Sequence, residues 1–233
     1  MPLRDKLLKL NLDGLASNRR ELLPGWSQTY LRRLGVFDFV IDVGVLDGTK
    51  ELYEAFPNST LVLVEALPEY AEILSKLVAD HPAGGSTFSC AAVSSNGSVT
   101  FNVVKADPRL SGRHESTLFQ KETLPITVDG FTLDNIIEKA GLTAERKGLL
   151  KIDTEGGELD VLKGLSEKID TVDTIICEAS IGTRHVGSYE FSDLVDWMAR
   201  NNFRLFDIMT VTRVKALFPG ARIADCVWKR IDP

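Results

Sequence analysis

Apolar and polar positions along this chain fall into two alternating kinds of block: short, nearly continuous apolar runs, and longer stretches with apolar residues three and four apart. Residues 37–43 form the first run, broken by Asp38 and closed by Asp42, a pattern that suits a strand covered on both faces. A turn from Gly44 to Gly48 then opens a helix. Residues 61–64 form a second buried run. Tyr70, Ile73, Leu74, Leu77 and Val78 follow at i, i+3, i+4, i+7 and i+8, with Pro68 suited to a first helical turn.

Residues 87–93 and 99–104 read as a strand and its hairpin partner around Ser95-Asn96-Gly97, since Asn-Gly favours a tight turn. A polar stretch over 105–121 comes next. The second half predicts a helix on Leu133, Ile136, Ile137 and Ala140, a strand at 149–153, a helix on Leu159, Leu162 and Leu165, and a strand at 174–178. A helix on Phe191, Leu194, Val195 and Met198 precedes strands at 203–209 and 224–229. Strands alternating with helices imply an α/β protein, with a mainly parallel seven-stranded sheet and helices on both faces. Before the first strand, Leu3, Leu7, Leu8 and Leu10 form one helical stripe, and Tyr30, Leu31 and Leu34 another. Residues 1–35 are therefore expected to form an N-terminal helical cap on a sheet domain over 36–233, the whole being one structural domain.

Composition narrows the function without naming it. At 233 residues, 44% hydrophobic and 26% charged, the chain is long enough for one sizeable core. Its formal net charge of −6 gives no general attraction to phosphate backbones, so no nucleic-acid partner is expected. Nor is there an Asn/Asp-Pro-Pro-aromatic motif. Cys90, Cys177 and Cys226 lie in apolar runs without metal-site spacing, as buried thiols of a reducing compartment would. No signal-like segment or long uncharged apolar stretch is found, so a cytoplasmic protein without a membrane span is expected.

Ligands of doubly wound sheets bind beyond the carboxyl ends of the strands. After the first strand stands Asp42-Val43-Gly44-Val45-Leu46-Asp47-Gly48, whose glycines let backbone approach a ligand ahead of a helix N-terminus. After the second stands Glu65, 23 residues beyond Asp42, where an acid can accept hydrogen bonds from both hydroxyls of a ribose. A dinucleotide fingerprint would continue with glycines where Leu46 and Thr49 stand, so a nicotinamide oxidoreductase is the weaker reading. An acid at Asp42 would repel a pyrophosphate but favour the cationic end of S-adenosylmethionine. A plain strand-to-helix turn with a surface Glu65 is the bland alternative. Ala91 and Ala92, at the end of the third strand, are small enough for a flat ring to lie against backbone.

The most informative segment is Leu150-Lys151-Ile152-Asp153-Thr154-Glu155-Gly156-Gly157-Glu158, ending in Leu162-Lys163-Gly164. With the Asp42 turn, Val64-Glu65-Ala66, Phe131-Thr132-Leu133-Asp134 and Ile175-Ile176-Cys177-Glu178, it closely resembles the FkbM family of methyltransferases over about residues 37 to 210. The resemblance implies a Rossmann-like class I methyltransferase fold, S-adenosylmethionine as cofactor, and methyl transfer to oxygen, commonly a hydroxyl of a sugar, glycan or natural-product-like small molecule. Cofactor contacts would fall on Asp42, Gly44, Gly48, Glu65, Ala66, Ala91, Ala92 and Asp153. One departure stands out: Val45-Leu46 replaces the family's usual Ala-Asn, so a polar side chain near the cofactor is missing. A non-catalytic binding protein of the same fold is the alternative that this change raises.

Methyl transfer to a hydroxyl requires alignment of the two reactants and removal of a proton. Asp153 and Glu155, at the end of the fourth strand, are placed to act as that base, to hold the acceptor or the cofactor's amino group, or to cap the helix starting near Glu158. Glu178, ending the fifth strand, and His185, in the loop 180–188, are expected to face the acceptor. A lone loop histidine is more often a solvated residue. His81, His114 and His185 show no metal spacing; oxygen ligands at Asp153, Glu155 and Glu178 would suit magnesium, but a metal is not the favoured reading. The stretch 105–121, with Arg109, Arg113, His114 and Lys121, reads equally as a substrate loop or a solvated connection.

Overall fold

A computed structural model describes residues 23–105, 107–114, 122–145, 147–182, 184–213 and 220–231. The apolar run after Phe37 becomes β1 (Phe39–Val43), buried at every position because it lies in the middle of the sheet. It pairs in parallel with β2 (Thr60–Glu65) on one side and β7 (Gly148–Ile152) on the other. β3 (Gly85–Ser89) lies outside β2, and β8 (Val172–Ser180) continues in parallel from β7. The last strand, β10 (Ile223–Arg230), inserts antiparallel between β8 and β9 (Phe203–Thr212), giving the order β3-β2-β1-β7-β8-β10-β9. This is the mainly parallel seven-stranded sheet that the alternating pattern predicts. Because the order reverses between β1 and β7, the loops after these strands part and leave a crevice.

Strand periodicity divides the core between two faces. Phe39, Ile41, Val43, Leu150 and Ile152 pack on one face with Leu133, Ile136 and Ile137 of α4 (Leu133–Lys139), Leu162 of α5 (Glu158–Lys163), and Leu194 and Met198 of α6 (Phe191–Arg200). Val40, Leu61, Leu63, Leu149 and Ile176 pack on the other, with Leu52 and Tyr53 of α2 (Lys50–Ala55) and Leu74 of α3 (Ala71–Asp80). The stripe of Tyr30, Leu31 and Leu34 is realised as α1 (Gln28–Leu31) and a 3-10 turn (Arg32–Leu34), which also packs on this second face. The stripe from Leu3 to Leu10 lies outside the described residues. Among the described residues no helix is long and apolar enough to cross a membrane.

The hairpin expected around Asn96-Gly97 is replaced by a different arrangement. β4 (Ala91–Ala92) and β5 (Gly97–Val104) do not pair with each other; both flank β6 (Thr123–Phe131) in a small second sheet, β4 in parallel and β5 antiparallel. Asn96 still shapes the turn, but its side-chain oxygen accepts from the Thr132 backbone N–H at 2.8 Å. Pro125 hides β6 from the sequence pattern, since proline cannot donate to a ladder. It is tolerated because β4 reaches only Gly130 and Phe131, and among the described residues no strand pairs with that side of β6 at Pro125.

Candidate active site

The carboxyl ends of β1, β2, β7 and β8 open into a cleft of about 930 Å³, part of it open to solvent. Its apolar half is made by Val43, Leu46, Val64, Leu67 and Cys90, with the small residues Ala66, Ala91 and Ala92 beside them. Phe101 of β5 covers it from the second sheet, and Pro108, Arg109, Ser111 and Arg113 of the segment after β5 complete that wall. Asp153, Glu155 and Glu178 form its polar end.

Glu65 sits at the end of β2, 5% exposed, with both oxygens oriented by backbone: Leu46 N–H donates to Oε2 and Leu67 N–H to Oε1, each at 2.9 Å. Burial raises its pKa, and these N–H groups oppose the rise. The Leu46 contact depends on an uncommon backbone, φ +49° in a non-glycine residue. Gly44, at φ +78°, lines the same wall. A Cβ there would stand 1.8 Å from the Asp153 carbonyl oxygen, so glycine is what lets β1 and β7 close at their ends. Gly48 takes φ +104° but abuts Leu77 and Tyr53 and does not line the cleft.

Asp42 lies beneath the cleft. Alternation turns it to the face of Val40, and the parallel register sets Lys151 beside it. Its carboxylate is fully buried, accepts from Thr49 Oγ1 at 2.9 Å and Tyr53 Oη at 2.6 Å, and pairs with Lys151 Nζ at 3.0 Å. Lys151 also donates to the Gly44 carbonyl at 3.1 Å and stands 3.5 Å from Asp153. Burial would depress the lysine's pKa, but Asp42 and Asp153 outweigh it and hold the ammonium above its ordinary value. This network fixes the floor of the cleft. Sequence reasoning gave Lys151 no role; the signal was a lone lysine within an apolar strand.

The four residues suspected of chemistry converge. One oxygen from each of Asp153, Glu155 and Glu178 lies within 4.8 Å of the others. Arg184, which sequence reasoning missed in its polar loop, bridges Glu155 at 2.5 Å and Glu178 at 2.8 Å. His185 is buried instead of solvated: its ring packs against Gly156 and its Nε2 stands 3.5 Å from Glu155 Oε2. Burial and the charge of Asp153 push the Glu178 carboxyl up to about 8 against the pull of Arg184. Asp153 is likewise raised by burial, with Lys151 opposing.

Neither Asp153 nor Glu155 caps α5, correcting that alternative. Its N-cap is Gly157, which has no side-chain cap, while the buried Glu158 accepts from Thr154 N–H and Gly156 N–H at 3.0 Å each and so shapes the turn. In the stretch 105–121, Arg109 pairs with Asp107 at the cleft rim and Arg113 pairs with Asp160. Residues 115–121 lie outside the described residues.

A doubly wound sheet with an acid after its second strand, and no glycine triplet for a pyrophosphate, defines a Rossmann-like protein of the nucleoside-binding class. The chain matches the model of the methyltransferase FkbM domain over residues 33–205, and it belongs to the FkbM family of S-adenosylmethionine-dependent methyltransferases. Its fold is thus the Rossmann-like class I methyltransferase fold. No curated protein matches. Among solved structures, the chain is similar to magnesium protoporphyrin IX methyltransferase from Synechocystis PCC 6803 with bound SAM, at 9% identity, TM-score 0.48, covering 88% of this chain and 76% of that one. It is also similar to Burkholderia thailandensis 1,6-didemethyltoxoflavin-N1-methyltransferase with bound S-adenosylhomocysteine, at 14% identity, TM-score 0.46, covering 99% and 88%.

Proposed function

We propose that this enzyme transfers the methyl group of S-adenosylmethionine to a hydroxyl oxygen of a sugar, glycan unit or natural-product-like small molecule. The observation that carries this reading is the placement of Asp153, Glu155 and Glu178 at the polar end of the cleft whose other wall holds Glu65. An amine acceptor is nucleophilic once neutral, whereas a hydroxyl needs a proton acceptor beside it.

The donor set fits the cofactor. Each Glu65 oxygen accepts one backbone N–H and retains lone-pair capacity for a ribose hydroxyl. Ala66, Ala91, Ala92 and Leu67 offer a low apolar surface to the adenine ring, and Gly44 admits the chain close to backbone. Asp42 acts from below, holding Lys151 and through it the Gly44 carbonyl. When bound, S-adenosylmethionine supplies an electrophilic methyl group on a sulfonium centre. Asp153 would take the acceptor's proton as the C–O bond forms, the methyl–sulfur bond breaks and S-adenosylhomocysteine leaves: it faces the cleft with its side chain 40% exposed, and Arg184 engages the other two carboxylates instead.

The test is calorimetric titration with S-adenosylhomocysteine, followed by methyl transfer to hydroxylated acceptors. Wild type should bind in the micromolar range, with Glu65→Ala at least about 10-fold weaker. Asp153→Asn should keep measurable product binding while kcat falls by about 100-fold or more. No binding by the wild-type chain would overturn the reading in favour of a non-catalytic protein.

A further inference from the structure

We infer that Asp153, Glu155 and Glu178, with the buried His185 facing Glu155 from behind, form a binding site for one divalent cation of the Mg²⁺ or Mn²⁺ class. Donors around an octahedral ion with bonds of about 2.1 Å stand about 3.0 Å apart when cis and about 4.2 Å when trans. The three carboxylate oxygens, all within 4.8 Å of one another, need only side-chain adjustments to reach that spacing. Hard oxygen donors suit Mg²⁺ or Mn²⁺ better than a thiophilic metal.

A second observation points the same way. His185 is 5% exposed, and among the described residues neither of its ring nitrogens has a hydrogen-bond partner, although buried polar atoms are nearly always paired. Its Nε2 faces Glu155 Oε2 at 3.5 Å, within the donor spacing of a shared ion. A cation held beside Glu155 would bring positive charge next to a buried imidazole nitrogen that lacks a hydrogen bond.

Charge explains why the cluster is stable without the ion and still receptive to it. Asp42, Asp153, Glu155 and Glu178 are met by Lys151 and Arg184, two cations against four carboxylates. Lys151 is divided between Asp42 and Asp153, and Arg184 is repelled by nearby Arg222. Arg184 thus holds the place of a cation, touching Glu155 Oε2 and Glu178 Oε2 with its two terminal nitrogens. An arriving ion competes with the guanidinium for those atoms. Use of the ion to polarise the acceptor hydroxyl rests on the methyl-transfer reading; its binding does not.

The experiment is titration of the 233-residue chain with Mn²⁺, free ion being followed by electron paramagnetic resonance without cofactor or acceptor. Wild type should take up one Mn²⁺ that excess Mg²⁺ displaces. Glu178→Gln should bind at least about 10-fold more weakly, and Arg184→Gln, which removes the competing cation, about 10-fold more tightly. Absence of saturable uptake by the wild type and Arg184→Gln overturns the site, as does Glu178→Gln binding equal to wild type. Melting curves check that each variant folds; if one does not, the wild-type titration decides alone. Since S-adenosylhomocysteine is absent, a failure here leaves the methyl-transfer reading standing, and failure of product binding leaves this site standing.

Discussion

Burial of Lys151 beside Asp42 is tolerable only because each charge satisfies the other, with Thr49 and Tyr53 completing the carboxylate. Lys151→Met should therefore destabilise the protein by about 3–5 kcal/mol in urea denaturation, because it leaves an uncompensated buried carboxylate. Asp42→Asn combined with Lys151→Met should recover a large part of that loss; a double variant as unstable as the sum of the singles would refute the pairing. Leu46 illustrates a second residue-scale cost. It holds φ +49°, a conformation an L side chain adopts at about 1–2 kcal/mol, and asparagine tolerates it better. Leu46→Asn should raise stability by up to about 1 kcal/mol while preserving the N–H bond to Glu65, read as a higher melting temperature in the absence of ligand. The residue facing Glu65 was legible as a departure in sequence. Its left-handed backbone was not, because leucine carries no signal for it.

Among elements, α4 is tied to the turn after α5 by one carboxylate. Asp134 accepts from Ser166 N–H and Oγ and from the N–H groups of Glu167 and Lys168, at 2.8 to 3.2 Å. Burial works to raise its pKa, but these donors win and hold it below the ordinary carboxylate value. A depressed folded-state pKa stabilises above the unfolded value and ceases to do so as pH falls through the folded one. Asp134→Ala should thus cost about 1–2 kcal/mol at neutral pH, and the difference from wild type should narrow on acidification below the ordinary aspartate range. A gap unchanged with pH would show that lost packing, not charge, is responsible. The strong amphipathic elements, such as α6 with Leu194 and Met198, follow from periodicity alone. β6 did not, since Pro125 and exposed Leu124 mask its alternation, and so its insertion between β4 and β5 went unseen.

For the molecule as a whole, the cleft is a joint between the large sheet, which supplies Glu65 and the carboxylates, and the small sheet, which supplies Phe101. A ligand seated there binds the folded chain alone, so S-adenosylhomocysteine at about 100 times its dissociation constant should add about 2.7 kcal/mol to stability. The corresponding rise in melting temperature should be largely absent in Glu65→Ala. The sequence by itself determined the α/β class, the strands that build the large sheet, and the acids and glycines at their ends, because apolar period and turn chemistry are local properties. Only the tertiary structure decided that Asp42 faces downward to Lys151, that His185 is buried behind Glu155, and that Arg184 closes the acid cluster. Those outcomes depend on strand register and on which loops meet at the crevice, and contacts between residues far apart in the chain leave no periodic trace in it.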